Sequence, residues 1–273
     1  MTLTRRQVTA LLDTHGLSPS RALGQNFLVD PNTVRRIARL AGVGPGDHVV
    51  EIGAGLGCLT LALAETGARI TAVELDRGLL GVLDEVLADT DVELVAGDAL
   101  GLDWAGLLAR APTWSLIANL PYNIATPLVC DLLADVPSIE RMTVMVQREV
   151  ADRLAAPAGS RTYGIPSVKV AFHATARIVA TVGPDVFLPR PRVDSAVIEI
   201  VRRPEGSLAP DVDRTDLFEL VETAFGQRRK MLRRSLAGLV DVGTFATAGF
   251  DPSSRPEELA PEDWVALTRA WRP

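Results

Sequence analysis

At 273 residues, with 47% hydrophobic and 23% charged side chains, the chain has the balance of a soluble globular protein built as one large domain and one smaller one. No run approaches the roughly 18 consecutive apolar residues that cross a bilayer, and the start, Met1-Thr-Leu-Thr-Arg-Arg6, lacks the apolar stretch of a signal peptide, so a cytoplasmic location is expected. Cys58 and Cys130 are the only cysteines, too few for a disulfide framework or a cysteine zinc cluster, and no metal site is expected.

The formal net charge of −6 is unevenly spread. Residues 1–40 carry +4 and residues 41–140 carry −12, followed by +3 over 141–200, +2 over 201–240 and −3 over 241–273. Local fields set contact with phosphates, so an acidic total does not exclude a nucleic-acid partner.

In chain order, residues 4–14 read as a short helix, followed by a Gly/Ser/Pro-containing loop to about Gly24. Asp30-Pro31 opens a second helix, with Asp at the cap and Pro at the first turn. From residue 47 the pattern alternates. Strands are predicted at 48–52, 69–74, 92–95 and 114–119, helices at 58–65, 79–87 and 127–133, and a further apolar run at 142–146. Such alternation predicts βαβ units and a parallel sheet. After 150 the pattern changes. Residues 177–182 and 196–201 read as strands joined by the Pro-rich Phe187-Leu-Pro-Arg-Pro-Arg-Val-Asp-Ser195, suited to an antiparallel edge. Residues 204–210 read as a linker, and beyond them only helices are predicted, at 214–225, 228–239, 243–248 and 261–271. The expected organisation is an α/β domain over 1–204, including an N-terminal lid segment 1–40, and a small helical domain over 205–273.

Three strand ends point to a cofactor. Glu51-Ile-Gly-Ala-Gly-Leu-Gly57 places Gly53, Gly55 and Gly57 between a strand and a helix, where missing side chains let a ligand approach the backbone. Alone, this turn also suits a dinucleotide enzyme or a plain tight turn. Glu74, 21 residues beyond Gly53 at the end of the next strand, can accept from ribose hydroxyls, and Leu75 follows it. Gly97-Asp98-Ala99 ends the third strand, where Asp98 can accept from an adenine amino group. The G-x-G-x-G spacing, unlike the longer spacing associated with a pyrophosphate, favours S-adenosylmethionine. Leu23-Gly-Gln-Asn-Phe-Leu28 precedes the sheet and reads as a lid, with Gln25 and Asn26 for polar contacts and Phe27 and Leu28 to exclude water.

Asn119-Leu120-Pro121-Tyr122 follows the fourth strand. An exocyclic adenine amine is a poor nucleophile because its lone pair is delocalised into the ring. Two acceptors, the Asn119 side-chain oxygen and the Leu120 carbonyl in the extended backbone before Pro121, can favour the pyramidal amine. Tyr122 offers a face for a flipped-out base. Phe187 is expected as a second wall of that base site, with Arg190 and Arg192 beside it for phosphates. Arg228, Arg229, Lys230, Arg233 and Arg234 place five basic residues in seven on a predicted helix, forming a phosphate-binding ridge.

Taken together and in this order, these motifs closely resemble the small-subunit rRNA adenine dimethyltransferases, the KsgA/RsmA family, over essentially the whole chain. Leu23–Leu28, Glu51–Gly57, Ala72–Asp76, Gly97–Ala99, Asn119–Ile124, Phe187–Ser195 and Gln227–Lys230 carry the resemblance. It implies a Rossmann-like class I methyltransferase fold and S-adenosylmethionine contacts from Asn26, Leu28, Gly53, Glu74, Asp98 and Asn119. It also implies dimethylation of two adjacent adenosines in a hairpin loop near the 3′ end of the small-subunit rRNA, within a partly assembled subunit and by a monomer. Ala54 departs from the frequent Pro, and Met231 and Arg233-Arg234 alter a stretch that more often reads Thr-Leu-Arg-Asn. Three alternatives stand beside this reading: a large-subunit rRNA adenine methyltransferase of the erythromycin-resistance type, a non-catalytic ribosome-assembly factor, and a small-molecule methyltransferase, against which the basic ridge and the C-terminal domain argue.

Overall fold

A computed structural model describes residues 2–272. Helix α1 (Arg5–Thr14) starts at Thr4, whose N–H donates to the Gln7 side chain at 2.9 Å while its hydroxyl accepts from the Gln7 N–H. The short strand β1 (Phe27–Leu28) follows. Helix α2 (Pro31–Ala41) begins where Asp30 and Pro31 predict, the Asp30 carboxylate accepting the Thr33 N–H at 2.8 Å, and it stops at Gly42 in the left-handed region.

The alternating region then runs β2 (His48–Ile52), α3 (Cys58–Ala64), β3 (Arg69–Glu74), α4 (Arg77–Leu87), β4 (Glu93–Ala96), α5 (Trp104–Leu108), β5 (Trp114–Asn119), α6 (Ala125–Asp135) and β6 (Ile139–Gln147). Helices α7 (Arg148–Leu154) and α8 (Ile165–His173) precede β7 (Ala174–Val182), β8 (Phe187–Leu188) and β9 (Ser195–Arg202). Seven strands form one sheet in the order β4-β3-β2-β5-β6-β9-β7, while β1 and β8 pair separately and antiparallel. Pairings from β4 through β6 are parallel, and β9 lies antiparallel to β6. Strand order reverses between β2 and β5, and in open α/β sheets ligands bind at the carboxyl ends of strands at such a switch. Short apolar runs such as Val49-Val50 and Leu116–Ala118 are buried in β2 and β5, as a sheet covered on both faces requires.

The chain divides into two compact units. One comprises residues up to Ala151 together with Arg177–Val201; the other comprises Asp152–Ala176 together with residues from Arg202 onward. The predicted division at 204–205 is therefore incomplete, because 152–176 groups with the C-terminal helices. The reason is burial. Tyr163, Val168 and Phe172 share an apolar cluster with Leu217, Val221, Leu232 and Trp264. These last lie on or beside α9 (Arg214–Gly226), α10 (Leu232–Ser235) and α12 (Pro261–Trp271), with α11 (Val242–Ala248) between. The predicted linker is tied back to this unit, since the Leu208 N–H donates to the Phe172 carbonyl at 2.6 Å.

A second expectation fails at 228–239. The only helix there is α10, and Met231 before it is extended (ψ 150). The Leu232 and Arg233 N–H groups, which a continuous helix would direct to the preceding turn, instead donate to the Ser254 and Pro252 carbonyls at 2.8 and 3.0 Å. Tertiary bonds break the helix that side-chain propensity favours. No helix among the described residues is long and apolar enough to cross a membrane.

Candidate active site

The turn after β2 has Gly53 at φ 73 and Gly55 at φ 61, backbone conformations that suit glycine. Gly55 is restricted twice, because a Cβ there would sit 3.1 Å from the Phe27 ring. The same turn is fastened to β3. Glu74 accepts the Gly55 N–H at 2.7 Å through Oε2 and the Asp76 N–H at 2.8 Å through Oε1. Burial pushes the Glu74 carboxyl above its ordinary range, and these two backbone bonds pull against that shift. Each oxygen keeps a lone pair for a further donor. At the end of β4, Asp98 Oδ1 accepts the Leu100 N–H at 3.0 Å, which sets the direction of its carboxylate. Leu75 is 48% exposed, a large apolar side chain beside two acids.

Glu51 was missed as a candidate in its own right. It lies on β2 at 1% exposure, and its Oε2 has no hydrogen-bond partner among the described residues. Burial pushes its carboxyl up to about 8, the Thr60 hydroxyl acting against that shift and the nearby Glu74 charge adding to it. A lone acid in the otherwise apolar His48-Val-Val-Glu-Ile52 was the available signal.

At the end of β5 the Asn119 amide nitrogen donates to the Asn26 carbonyl at 3.0 Å. A carbonyl can only accept, so the amide's orientation is settled and Oδ1 is the end left for an incoming donor. The Leu120 N–H donates to the Met145 carbonyl at 3.0 Å and continues the β5–β6 pairing by one residue before Pro121. Tyr122 Oη lies 2.9 Å from Ser195 Oγ.

Gln25, Asn26, Leu28, Gly53, Gly55, Glu74, Leu75, Asp98, Ala99, Asn119, Leu120, Pro121 and Tyr122 all line one cavity, which holds about 910 Å³ with the open solvent at its mouth. Glu51 and Phe27 line it too. A glycine floor, ordered acids at successive strand ends, an apolar wall at Leu75 and an orphaned buried carboxylate oxygen fit a ligand combining ribose hydroxyls, a flat base and a cationic amine. S-adenosylmethionine has these parts.

Gln25 borders the cavity with each end of its amide held once by protein: Oε1 accepts the Ser20 N–H and Nε2 donates to Asp76 Oδ2, each at 2.7 Å. Phe187 does not line the cavity. It is 0% exposed and belongs to the core cluster with Phe27, Ile117 and Met145, because β8 pairs with β1, opposing Phe187 to Leu28. The expected second aromatic wall is absent from the cavity.

The basic residues are separated by their pairings. Arg190 lies 3.2 Å from Asp185, and Arg192 is exposed. Arg228 is held by Glu257 at 2.7 Å and by the Arg161 carbonyl at 3.0 Å, whereas Arg229, Lys230, Arg233 and Arg234 are exposed. With the helix broken at Met231, these do not form the single helical ridge that was expected.

Comparison with known proteins identifies the family. The ribosomal RNA adenine dimethylase family pattern matches residues 17–270. The chain is 48% identical to ribosomal RNA small subunit methyltransferase A of Kineococcus radiotolerans, over 99% of this chain and 92% of that protein. It is 45% identical to the protein of the same name from Streptomyces avermitilis, over 96% and 90%. Among solved structures, a dimethyladenosine transferase from Plasmodium falciparum shares the fold, with a TM-score of 0.76 at 22% identity over 88% of this chain and 95% of that one. The 23S rRNA methyltransferase ErmE gives a TM-score of 0.68 at 26% identity, covering 91% and 100%.

Proposed function

The chain belongs to the ribosomal RNA adenine dimethylase family, and from that premise we propose that it transfers methyl groups from S-adenosylmethionine to the N6 amines of two adjacent adenosines in the 3′-terminal hairpin loop of small-subunit rRNA. The observation that carries this reading is the fixed amide of Asn119, whose free acceptor end belongs to a cavity fit for the cofactor.

Asn26, Leu28, Gly53, Gly55, Glu74, Leu75, Asp98 and Ala99 are the residues that hold the cofactor. When bound, S-adenosylmethionine supplies an electrophilic methyl on a sulfonium centre. Asn119 Oδ1 and the Leu120 carbonyl each accept one N–H of the adenine amine, which draws the nitrogen toward the geometry in which its lone pair is available. Tyr122 stacks on the base and holds it against these acceptors. No side chain of high basicity is required, since the amine becomes strongly acidic once methylated and releases its proton then. Arg192 and the exposed cations of 229–234 contact rRNA phosphates, the enzyme works as a cytoplasmic monomer, and its substrate is a partly assembled small subunit.

Purified chain and labelled cofactor, offered small and large ribosomal subunits that lack the modification, test this directly. Expected are four methyls per particle on two adjacent adenosines, and a loss of about 10²–10³-fold in kcat for Asn119→Ala. Labelling confined to large subunits would establish the erythromycin-resistance reading instead. Labelling of neither would leave a non-catalytic assembly factor, against which the gathering of Glu74, Asp98 and Asn119 on one cavity argues.

A further inference from the structure

Ser20–Leu28 forms a strap whose residues Leu23–Leu28 line the cavity, and one of its fastenings reaches Asn119. The strap folds on itself where the Gln25 N–H donates to the Ser20 carbonyl at 3.1 Å and Gln25 Oε1 accepts the Ser20 N–H at 2.7 Å. Its far end is held by the pairing of Phe27–Leu28 with Phe187–Leu188. Between these points, the Asn26 carbonyl receives the Asn119 amide.

Gln25 Nε2 reaches outside the strap to Asp76 Oδ2 at 2.7 Å. Asp76 is itself at a junction. Its Oδ1 accepts the Gly78 N–H at 2.9 Å and caps α4, while its own N–H donates to Glu74 Oε1 at 2.8 Å. Hydrogen bonds therefore link Glu74 to Asp76 and Asp76 to Gln25, the backbone joins Gln25 directly to Asn26, and the Asn26 carbonyl accepts from Asn119.

We propose that the Gln25–Asp76 pair is a latch whose function is to set the orientation of Asn119. Gln25 is thus a positioning residue and makes no direct polar contact with the cofactor. The proposal rests on the reading of Asn119 as the acceptor for adenine. With the latch formed, the strap backbone stands where its carbonyl holds the Asn119 amide, and Oδ1 faces the amine. With the latch open, the Asn26 carbonyl is free to move, the Asn119 amide can turn its NH2 end toward the cavity, and a donor then opposes a donor. The reacting amine is misdirected even when the cofactor is bound.

The pair can be inverted, and inversion makes the test. Gln25→Glu alone sets two carboxylates against each other. Asp76→Asn alone keeps the oxygen that caps α4 but sets an NH2 against the Gln25 NH2. Combined, the two substitutions restore one donor and one acceptor, because a carboxylate at position 25 accepts from both the Ser20 N–H and the amide at position 76. Hydrogen exchange over residues 20–28 in the ligand-free protein is expected to accelerate in each single variant and to return to the wild-type rate in the double. In methylation assays each single variant is expected to lose about tenfold in kcat, with the cofactor KM changed less than threefold, and the double to recover to within about threefold of wild type. A double variant no better than the worse single, in exchange and in kcat, overturns the latch. A rise in cofactor KM with kcat unchanged overturns it also, making Gln25 a cofactor contact. Failure of the wild-type chain to methylate rRNA would strike the reading of Asn119, while the exchange rates would still decide whether the latch holds the strap.

Discussion

Tyr122 Oη lies 2.9 Å from Ser195 Oγ, which joins the residue after Pro121 to the first residue of β9, itself wholly buried. Burial pushes the Tyr122 hydroxyl above its ordinary range, with the Ser195 contact acting against that shift, so the group remains a neutral phenol at physiological pH. The bond fixes the direction of the ring proposed to stack on adenine. Ser195→Ala and Tyr122→Phe are each expected to lower kcat/KM on rRNA by about three- to tenfold, and together by no more than either alone, because both delete the same bond. Tyr122→Ala, which removes the ring, is expected to lose about tenfold or more. Steady-state kinetics of the four variants provide the check; additive losses from the first two would show that Ser195 acts by another route.

Glu51 gives the protein a pH signature. Its folded carboxyl is raised to about 8 from an ordinary value near 4.5, so between these limits the folded chain retains a proton that the unfolded chain has released. Stability conferred by the protonated form is complete below about pH 4.5 and is lost as pH rises through 8. Glu51→Gln removes this dependence, and the stability difference between variant and wild type is expected to grow in the variant's favour by on the order of a few kcal/mol from pH 5 to pH 9. Denaturant titrations at several pH values measure it. Parallel stability profiles for the two proteins would contradict the assignment.

The sheet and its cofactor edge were legible because the information is local. Apolar runs of strand length, three glycines, and acids placed at strand ends describe their own surroundings, as does Asp30-Pro31 at the start of α2. The place of the Asn119–Tyr122 turn at the end of β5, on the cavity, was legible for the same reason, since the four residues are consecutive. What stayed hidden depends on distant partners. Helix α8 was not predicted: it carries Pro166 and the β-branched Val168 and Val170, but the proline occupies the first turn and the valines are buried. Phe187 looks like a loop residue until β1 pairs with its strand. The stretch from Arg228 to Arg234 looks helical until Ser254 and Pro252 take two of its N–H groups.

The burial of Phe187 separates packing from base contact. The ring is 0% exposed among Phe27, Ile117 and Met145, so Phe187→Ala is expected to destabilise the fold by about 3–5 kcal/mol, as a cavity in a close-packed core does. Phe187→Leu, which refills most of that space, is expected to recover the larger part of the loss and of the methylation activity together. Equilibrium unfolding alongside activity decides the matter. A Phe187→Ala protein of wild-type stability but low activity would mean that the ring leaves the core to meet the substrate.

The exposed cations of 229–234 and the paired Arg228 differ in their expected response to salt. Arg229, Lys230, Arg233 and Arg234 have exposed side chains, available to phosphates. Arg228 is engaged by the Glu257 carboxylate and the Arg161 carbonyl, so its charge is partly matched within the protein and its geometry is fixed. Each phosphate contact releases counterions, giving the logarithm of the binding constant a slope of roughly 0.7–0.9 per contact against the logarithm of salt concentration. Alanine at any of the four exposed positions that contacts phosphate is expected to lower that slope by about this amount and to weaken binding to all rRNA fragments alike. Arg228→Ala is expected to leave the slope unchanged and to lower the melting temperature slightly, consistent with an ion pair worth about 0–1 kcal/mol and one lost carbonyl bond. Fluorescence anisotropy of a labelled small-subunit rRNA hairpin across a salt series measures both effects. A change of slope at Arg228 with none at the other four would reverse the assignment and make the Glu257-bound arginine the phosphate contact.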